Sequence, residues 1–326
     1  MIRLAEMCGL RMPRPEGHWL SVADMTNLVN ISGFEVVQRR HLFLIPIFIP
    51  LLSWFVNKFI TPLPLFRNLS LIKVLVARPQ PVAVENRVVS CSVIVPCRNE
   101  KGNIEGVVQR LPALSKETEI IFVEGHSQDG TLEECWRVQK DYSAKRIQVL
   151  MQDGIGKADA VRKGFAAAKG DILIILDADL TVAPEELTKF FDVIISGSGE
   201  FINGTRLVYK MDKYAMRFLN MIANHFFSAA FTFLLDQYIK DTLCGTKVLW
   251  RKDYERIVAG RMYFGDFDPF GDFDLLFGAA KLNLKIAEVP VHYRERTYGT
   301  TQISRFRHGL LLFRMCFFAM QKIKFI

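Results

Sequence analysis

The chain has 326 residues, half of them hydrophobic and 23% charged, with a formal net charge of +8. That composition excludes a disordered or low-complexity protein and allows one large core or two domains. The six cysteines include no Cys-x-x-Cys pair, which fits a reducing compartment, with neither a disulfide framework nor a zinc site.

No basic-then-apolar leader opens the sequence, so no signal peptide is expected. From Lys281 to Ile326 there are nine Lys/Arg against Glu288 and Glu295, so nearly all the excess charge sits at this end. Mixed with Phe, Leu and Met, that charge suits anionic phosphates or a membrane surface. No nucleic-acid module accompanies it, so nucleic acid is not an expected partner.

In chain order, His41–Ile60 is apolar, but Pro46 and Pro50 interrupt it and it contains Asn57-Lys58, which argues against a clean membrane span. Leu71–Ala77 reads as a strand ending at Arg78-Pro79-Gln80-Pro81, a boundary between a segment 1–82 and a domain 88–326. Strands then read at Ser92–Val95, Ile120–Val123, Ile147–Leu150 and Ile172–Leu176, with helices at Gly102–Leu111, Thr131–Asp141 and Ala158–Ala168 between them. The alternation predicts an α/β fold with a mostly parallel sheet and helices on both faces. Pro184-Glu185-Glu186 opens another helix. Met211–Ile239 is a long aromatic-rich helical stretch, equally readable as core packing or as a helix lying at a bilayer interface.

Ligands of such sheets gather at the carboxyl ends of the strands. Three polar clusters fall there: Pro96–Glu100, Glu124–Gly130 and Asp177–Asp179. Asp177 and Asp179, two positions apart, should project to one side and could share a hard divalent cation. Taken alone, the pair reads equally well as a polar turn.

Four segments occur in order: Ser92-Val-Ile-Val-Pro-Cys-Arg-Asn-Glu100, Val123-Glu-Gly-His-Ser-Gln-Asp-Gly-Thr131, Gly154-Ile-Gly-Lys-Ala-Asp159 and Asp177-Ala-Asp179. Together, over roughly residues 90–310, they resemble glycosyltransferase family 2, particularly its dolichol-phosphate mannosyltransferase-like branch. The resemblance implies a GT-A fold, a GDP- or UDP-linked sugar donor, Mg²⁺ or Mn²⁺, and inversion at the anomeric carbon. It assigns Pro96, Arg98 and Glu100 to the nucleotide pocket, Glu124 to the base or ribose, and Gly156 and Lys157 to the loop closing over the nucleotide. Asp177 and Asp179 would take ribose and metal. One acid usual after the second strand is replaced by Gly125, and His126 beside it reads as structural.

The second half resembles the acceptor side of the same family. Gly204-Thr-Arg206, Asp241-Thr-Leu-Cys-Gly-Thr-Lys247 and Phe270-Gly-Asp-Phe-Asp274 match its motifs, with Arg206, Asp272 and Asp274 as catalytic candidates. Asp272 or Asp274 would serve as base toward a hydroxyl acceptor, or merely cap a helix. Tyr293-Arg-Glu-Arg296 resembles the phosphate-binding region, where Arg294 and Arg296 share a face if extended, and Gln302 replaces a usual Lys. The implied reaction is sugar transfer to a polyprenyl phosphate at the cytoplasmic face of a membrane, with the protein peripheral to it. A hydroxyl acceptor and a catalytically silent membrane-surface scaffold are the alternatives. Residues 1–80 resemble the last third of a class I S-adenosylmethionine-dependent methyltransferase that lacks the cofactor-binding strand, and so read as a remnant or as the end of a longer two-enzyme polypeptide.

Overall fold

The computed structural model describes residues 20–84, 89–209, 218–263, 273–296, 298–299 and 305–325. The chain divides into two compact units, residues 1–80 with Phe325, and residues 81–324.

In the first unit, Ser21 and Asp24 form a reciprocal capping box that starts helix α1, Val22–Ile31. Gly33, at φ +78°, turns the chain into strand β1, Phe34–Leu42, which pairs antiparallel with β2, Ile72–Pro79. Arg78 and Glu35 face each other across that pair at 2.5 Å. The apolar stretch from His41 therefore divides into the end of β1, a loop, and a short helical turn at Leu52–Phe55 and Val56–Ile60. Asn57 holds the loop by accepting from the Leu44 and Ile45 N–H groups and donating to the Ile45 carbonyl. Among the described residues, no helix is long and apolar enough to cross a membrane.

The second unit is built on a seven-stranded sheet. Its strands are β3 (Cys91–Cys97), β4 (Thr118–Glu124), β5 (Arg146–Met151), β6 (Ile172–Ile175), β7 (Phe201–Thr205), β8 (Lys247–Trp250) and β9 (Ile286–Pro290), in the spatial order β5-β4-β3-β6-β8-β7-β9. Only β8 runs antiparallel to its neighbours. Helices α2 (Lys101–Arg110), α3 (Thr131–Asp141), α4 (Lys157–Ala167), α5 (Leu187–Ile195), α6 (Phe218–Leu235), α7 (Arg251–Ala259), α8 (Phe273–Lys281) and α9 (Arg305–Ala319) complete it.

The apolar runs of the sequence become strands buried on both sides. Val93 and Val95 join one core with Ile104, Cys135 and Phe190; Ile94 between them joins the other with Phe165, Phe231 and Phe277. β6 divides in the same way, Ile172 and Ile174 against Leu173 and Ile175.

The helix expected over Met211–Ile239 is α6, ending at Leu235; residues 211–217 lie outside the described residues. Asp236, at φ +55°, turns the chain, and Thr232 then binds both backbone groups of Ile239 through its hydroxyl. The core reading of this helix holds for one of its faces, and another face is exposed. Phe227, Phe231 and Leu234 are buried, whereas Phe226 is 54% exposed and meets exposed Phe313 of α9.

Candidate active site at the strand ends

The loops after β3, β4 and β5 are stitched to one another by hydrogen bonds. The Gly125 N–H donates to the Cys97 carbonyl, the Asn99 N–H to Ser127 Oγ, and the Glu100 N–H to Thr131 Oγ1. Gln152 donates its N–H to the Glu124 carbonyl and its Nε2–H to the Gly156 carbonyl. These three loops thus form one rim at the carboxyl edge of the sheet. Pro96 is half-buried in β3, Arg98 just beyond it is exposed, and Glu100 is 7% exposed. Glu124 is buried, and its carboxylate accepts from the N–H groups of His126 (3.2 Å) and Ser127 (2.6 Å), so it shapes the turn in which His126 takes φ +57°.

The structure corrects one geometric expectation. β6 stops at Ile175, so Asp177 and Asp179 lie in the turn that follows, and strand alternation does not set their directions. Cations orient them instead. Lys157, the first residue of α4, places Nζ 2.6 Å from Asp177 Oδ1; Gly156 before it, at φ +92°, sets the entry to that helix. Burial works against ionisation of Asp177, but Lys157, with Lys247 and Arg206 farther off, outweighs it and holds the carboxyl below its usual range. Asp179 Oδ1 accepts from the Thr181 N–H (3.0 Å) and hydroxyl (2.7 Å), while Oδ2 accepts from Arg296 Nη2 at 2.6 Å. The second arm of Arg296 donates to Glu100 Oε1 at 2.8 Å. Burial nevertheless raises the Glu100 carboxyl above its usual value.

Arg294 and Arg296 do not share a face. The Arg294 N–H donates to the Thr181 carbonyl and its side chain is exposed, whereas Arg296 turns inward onto the two acids. Arg206 makes a two-pronged pair with Asp241, Nε to Oδ2 at 2.7 Å and Nη2 to Oδ1 at 2.8 Å, and its guanidinium lies over the Tyr293 ring. Asp274 stands in the first turn of α8, 5% exposed, 3.3 Å from both Arg162 and Arg261. Burial raises its carboxyl despite those two cations. Asp272 and Gln302 lie outside the described residues.

Three neighbours of the site, Gly245, Gln152 and Lys247, were assigned no role from sequence. A Cβ on Gly245 would lie 2.0 Å from Asp177 Oδ2 and 2.4 Å from Lys157 Nζ, so this glycine lets the backbone back onto the pair. A Cβ on Gly125 would lie 2.9 Å from Gln152 Oε1, so the Gln152 carboxamide takes up room beside Gly125. Lys247, fully buried on β8, donates to the Cys244 carbonyl and Asn203 Oδ1 and adds its charge behind Asp177. Gly245 and Lys247 lie in the Asp241–Lys247 motif, which assigned neither of them a role; each of the three matters through a partner brought in by the fold.

Among the described residues no group of three or more His, Cys, Asp or Glu side chains is arranged to hold a metal. Two carboxylates completed by substrate phosphate and water are, however, the donor set Mg²⁺ commonly takes, and the hard oxygens of Asp177 and Asp179 fit it.

The glycosyl transferase family 2 model matches residues 92–258, just over half of the chain. A dolichol-phosphate mannosyltransferase of Saccharomyces cerevisiae is 41% identical over 120 residues, 35% of this chain and 44% of that protein. An undecaprenyl-phosphate 4-deoxy-4-formamido-L-arabinose transferase of Yersinia pestis is 25% identical over 224 residues, 66% of this chain and 63% of that protein. The chain thus spans less than two thirds of the length of these relatives. Glucosyl-3-phosphoglycerate synthase of Mycobacterium tuberculosis, solved with Mn²⁺, UDP and glucosyl-3-phosphoglycerate, superposes with a TM-score of 0.51 at 18% identity, covering 72% of this chain and 80% of that one. That likeness concerns the fold, a GT-A sheet. On the family match and this architecture, the chain belongs to glycosyl transferase family 2.

Proposed function

We propose that the protein transfers a sugar, with inversion, from a GDP- or UDP-linked donor to a polyprenyl phosphate at the cytoplasmic surface of a membrane. The observation that carries this reading is the strand-end rim, where Asp177 and Asp179 meet Lys157, Arg296 and Glu100. Pro96, Arg98 and the turn shaped by Glu124 would bound the base and ribose, and Gly156 with Lys157 would lie against the diphosphate. Asp177 and Asp179 would hold Mg²⁺ or Mn²⁺, which as a Lewis acid would neutralise charge on the departing nucleoside diphosphate. Lys157 and Arg296 bring further positive charge to that leaving group. A polyprenyl phosphate is already an anionic nucleophile and needs alignment more than a base, which accords with Asp274 being buried between two arginines.

The relatives named for dolichol-phosphate and undecaprenyl-phosphate support this class of acceptor. So does the surface. Leu310, Phe313 and Phe317 of α9 and Phe226 of α6 are exposed beside exposed Arg314, an apolar and basic combination suited to anionic lipid. The first unit is read as similar to the last third of a class I methyltransferase on its sequence motifs and its antiparallel pair β1–β2.

The test is a panel of nucleotide sugars incubated with Mg²⁺ or Mn²⁺, with and without a polyprenyl phosphate. Metal-dependent transfer to the phosphate is expected, lost on the order of a hundredfold or more in Asp179→Ala while the protein stays folded. Undiminished transfer by Asp179→Ala with metal chelated would sink the proposal, and transfer only to a hydroxyl acceptor would redirect it.

A further inference from the structure

Asp179 has little free lone-pair capacity. Oδ1 already accepts two hydrogen bonds from Thr181, so the accessible oxygen is Oδ2, and Arg296 Nη2 holds that oxygen at 2.6 Å. The other arm of the same guanidinium neutralises Glu100, whose second oxygen accepts from Asn103 Nδ2 at 2.7 Å. Arg296 thus occupies the position, between two carboxylates, that a cation would take.

The chain around it is fastened to the rim. The Arg294 N–H donates to the Thr181 carbonyl, and Val182 bridges Tyr293. The Tyr298 hydroxyl donates to Asp129 Oδ2 at 3.1 Å. The Tyr298 ring lies so close to Gly102 that a Cβ there would be 2.6 Å from it. The Arg296 side chain remains 26% exposed, so it can leave without breaching the core.

We infer that Arg296 is an exchangeable internal counterion: it holds Asp179 and Glu100 before the donor binds, and a divalent cation must displace it from Asp179 Oδ2. A dication on that oxygen repels the guanidinium, and the incoming diphosphate offers it oxygens of better geometry. Metal binding therefore releases Arg296 from the acidic rim and makes it available to the phosphates. This rests on the reading of Asp179 as a metal ligand.

The experiment is titration with Mn²⁺ alone, following the free-ion EPR signal, of wild type, Arg296→Ala, Arg296→Lys and Asp179→Asn, each checked for folding by thermal melting. Removing the competitor should tighten Mn²⁺ binding on the order of tenfold in Arg296→Ala, with Arg296→Lys between it and wild type and no binding in Asp179→Asn. Equal or weaker binding by Arg296→Ala overturns the exchange while leaving the metal reading standing. Mn²⁺ binding that survives Asp179→Asn, or is absent from every protein, overturns both. Wild type gives an independent measure that does not depend on variants folding: tryptic cleavage after Arg296 should accelerate when Mn²⁺ is added, and an unchanged rate overturns the inference.

Discussion

Arg206–Asp241 and Arg296–Asp179 are built from the same two chemical groups and serve different ends. The first joins the end of β7 to the approach to β8, with side chains 12% and 0% exposed. Asp241 accepts there from the Arg206 backbone and guanidinium, from the Leu243 N–H, and distantly from Asn224. The second lies on the rim, 26% and 13% exposed, with one guanidinium divided between two acids. A charge sealed inside and fully hydrogen-bonded is a fixture, because removing either partner strands the other in low dielectric. A charge at the edge, with water to replace its partner, is free to change partners.

Stability is the widest lever on this contrast. Arg206→Ala should cost about 3–5 kcal/mol in denaturant unfolding, since it leaves Asp241 buried and unpaired. Arg296→Ala should cost about 1 kcal/mol or less. Equal losses would break the comparison.

Acid titration separates the same regions. Burial works to raise the Asp241 carboxyl, but Arg206 and the hydrogen bonds override it and bring it to about 2, against 3.8 for the free group. A depressed folded value means that this contribution, about 2 kcal/mol, is complete above the unfolded value and is lost as pH falls from near 3.8 toward about 2. Glu100 carries the opposite sign: with its folded value raised, its contribution is present at low pH and fades as pH rises through that value. Unfolding followed against pH in wild type and Asp241→Asn should show the acid-side slope flattened in the variant. An unchanged slope would remove Asp241 from the account.

Gly245→Ala tests the open side of the site. The new methyl would strike Asp177 and Lys157, so nucleotide affinity by calorimetry should fall roughly tenfold, with a stability loss of about 1–2 kcal/mol. Unchanged affinity would place the nucleotide away from this pair. The smallest effect is expected at the surface. Phe313→Ser should weaken binding to vesicles containing anionic lipid by about tenfold or less and leave nucleotide affinity intact. Loss of both together would make Phe313 part of the core.

The parallel half of the sheet was legible from residue types. Ser92–Val95 and Ile120–Val123 are apolar runs because both of their faces are covered, and each proved to be the centre of a slightly longer strand. The acids after β6 were legible as a pair but not in their directions, since the strand ends two residues before Asp177. α6 was read too long because aromatic content does not reveal a turn made by Asp236 and held by Thr232. Arg294 and Arg296 looked equivalent in sequence and are not, because Arg296 turns inward onto Glu100 and Asp179 whereas Arg294 is exposed and acts on Glu185 only through its charge.

The order of the motifs, the family they signal, the alternation of strand and helix, and the accumulation of positive charge near the end of the chain were determined by the sequence alone. Each is a local pattern, and local patterns report burial, periodicity and residue chemistry. Which charge meets which was decided by the tertiary structure. Arg296 and Glu100 are 196 positions apart, Arg206 and Asp241 are 35, and Gly245 touches Asp177 only because antiparallel β8 is laid against β6. Electrostatic partnership depends on distance and burial in space, and neither quantity exists until the sheet has closed.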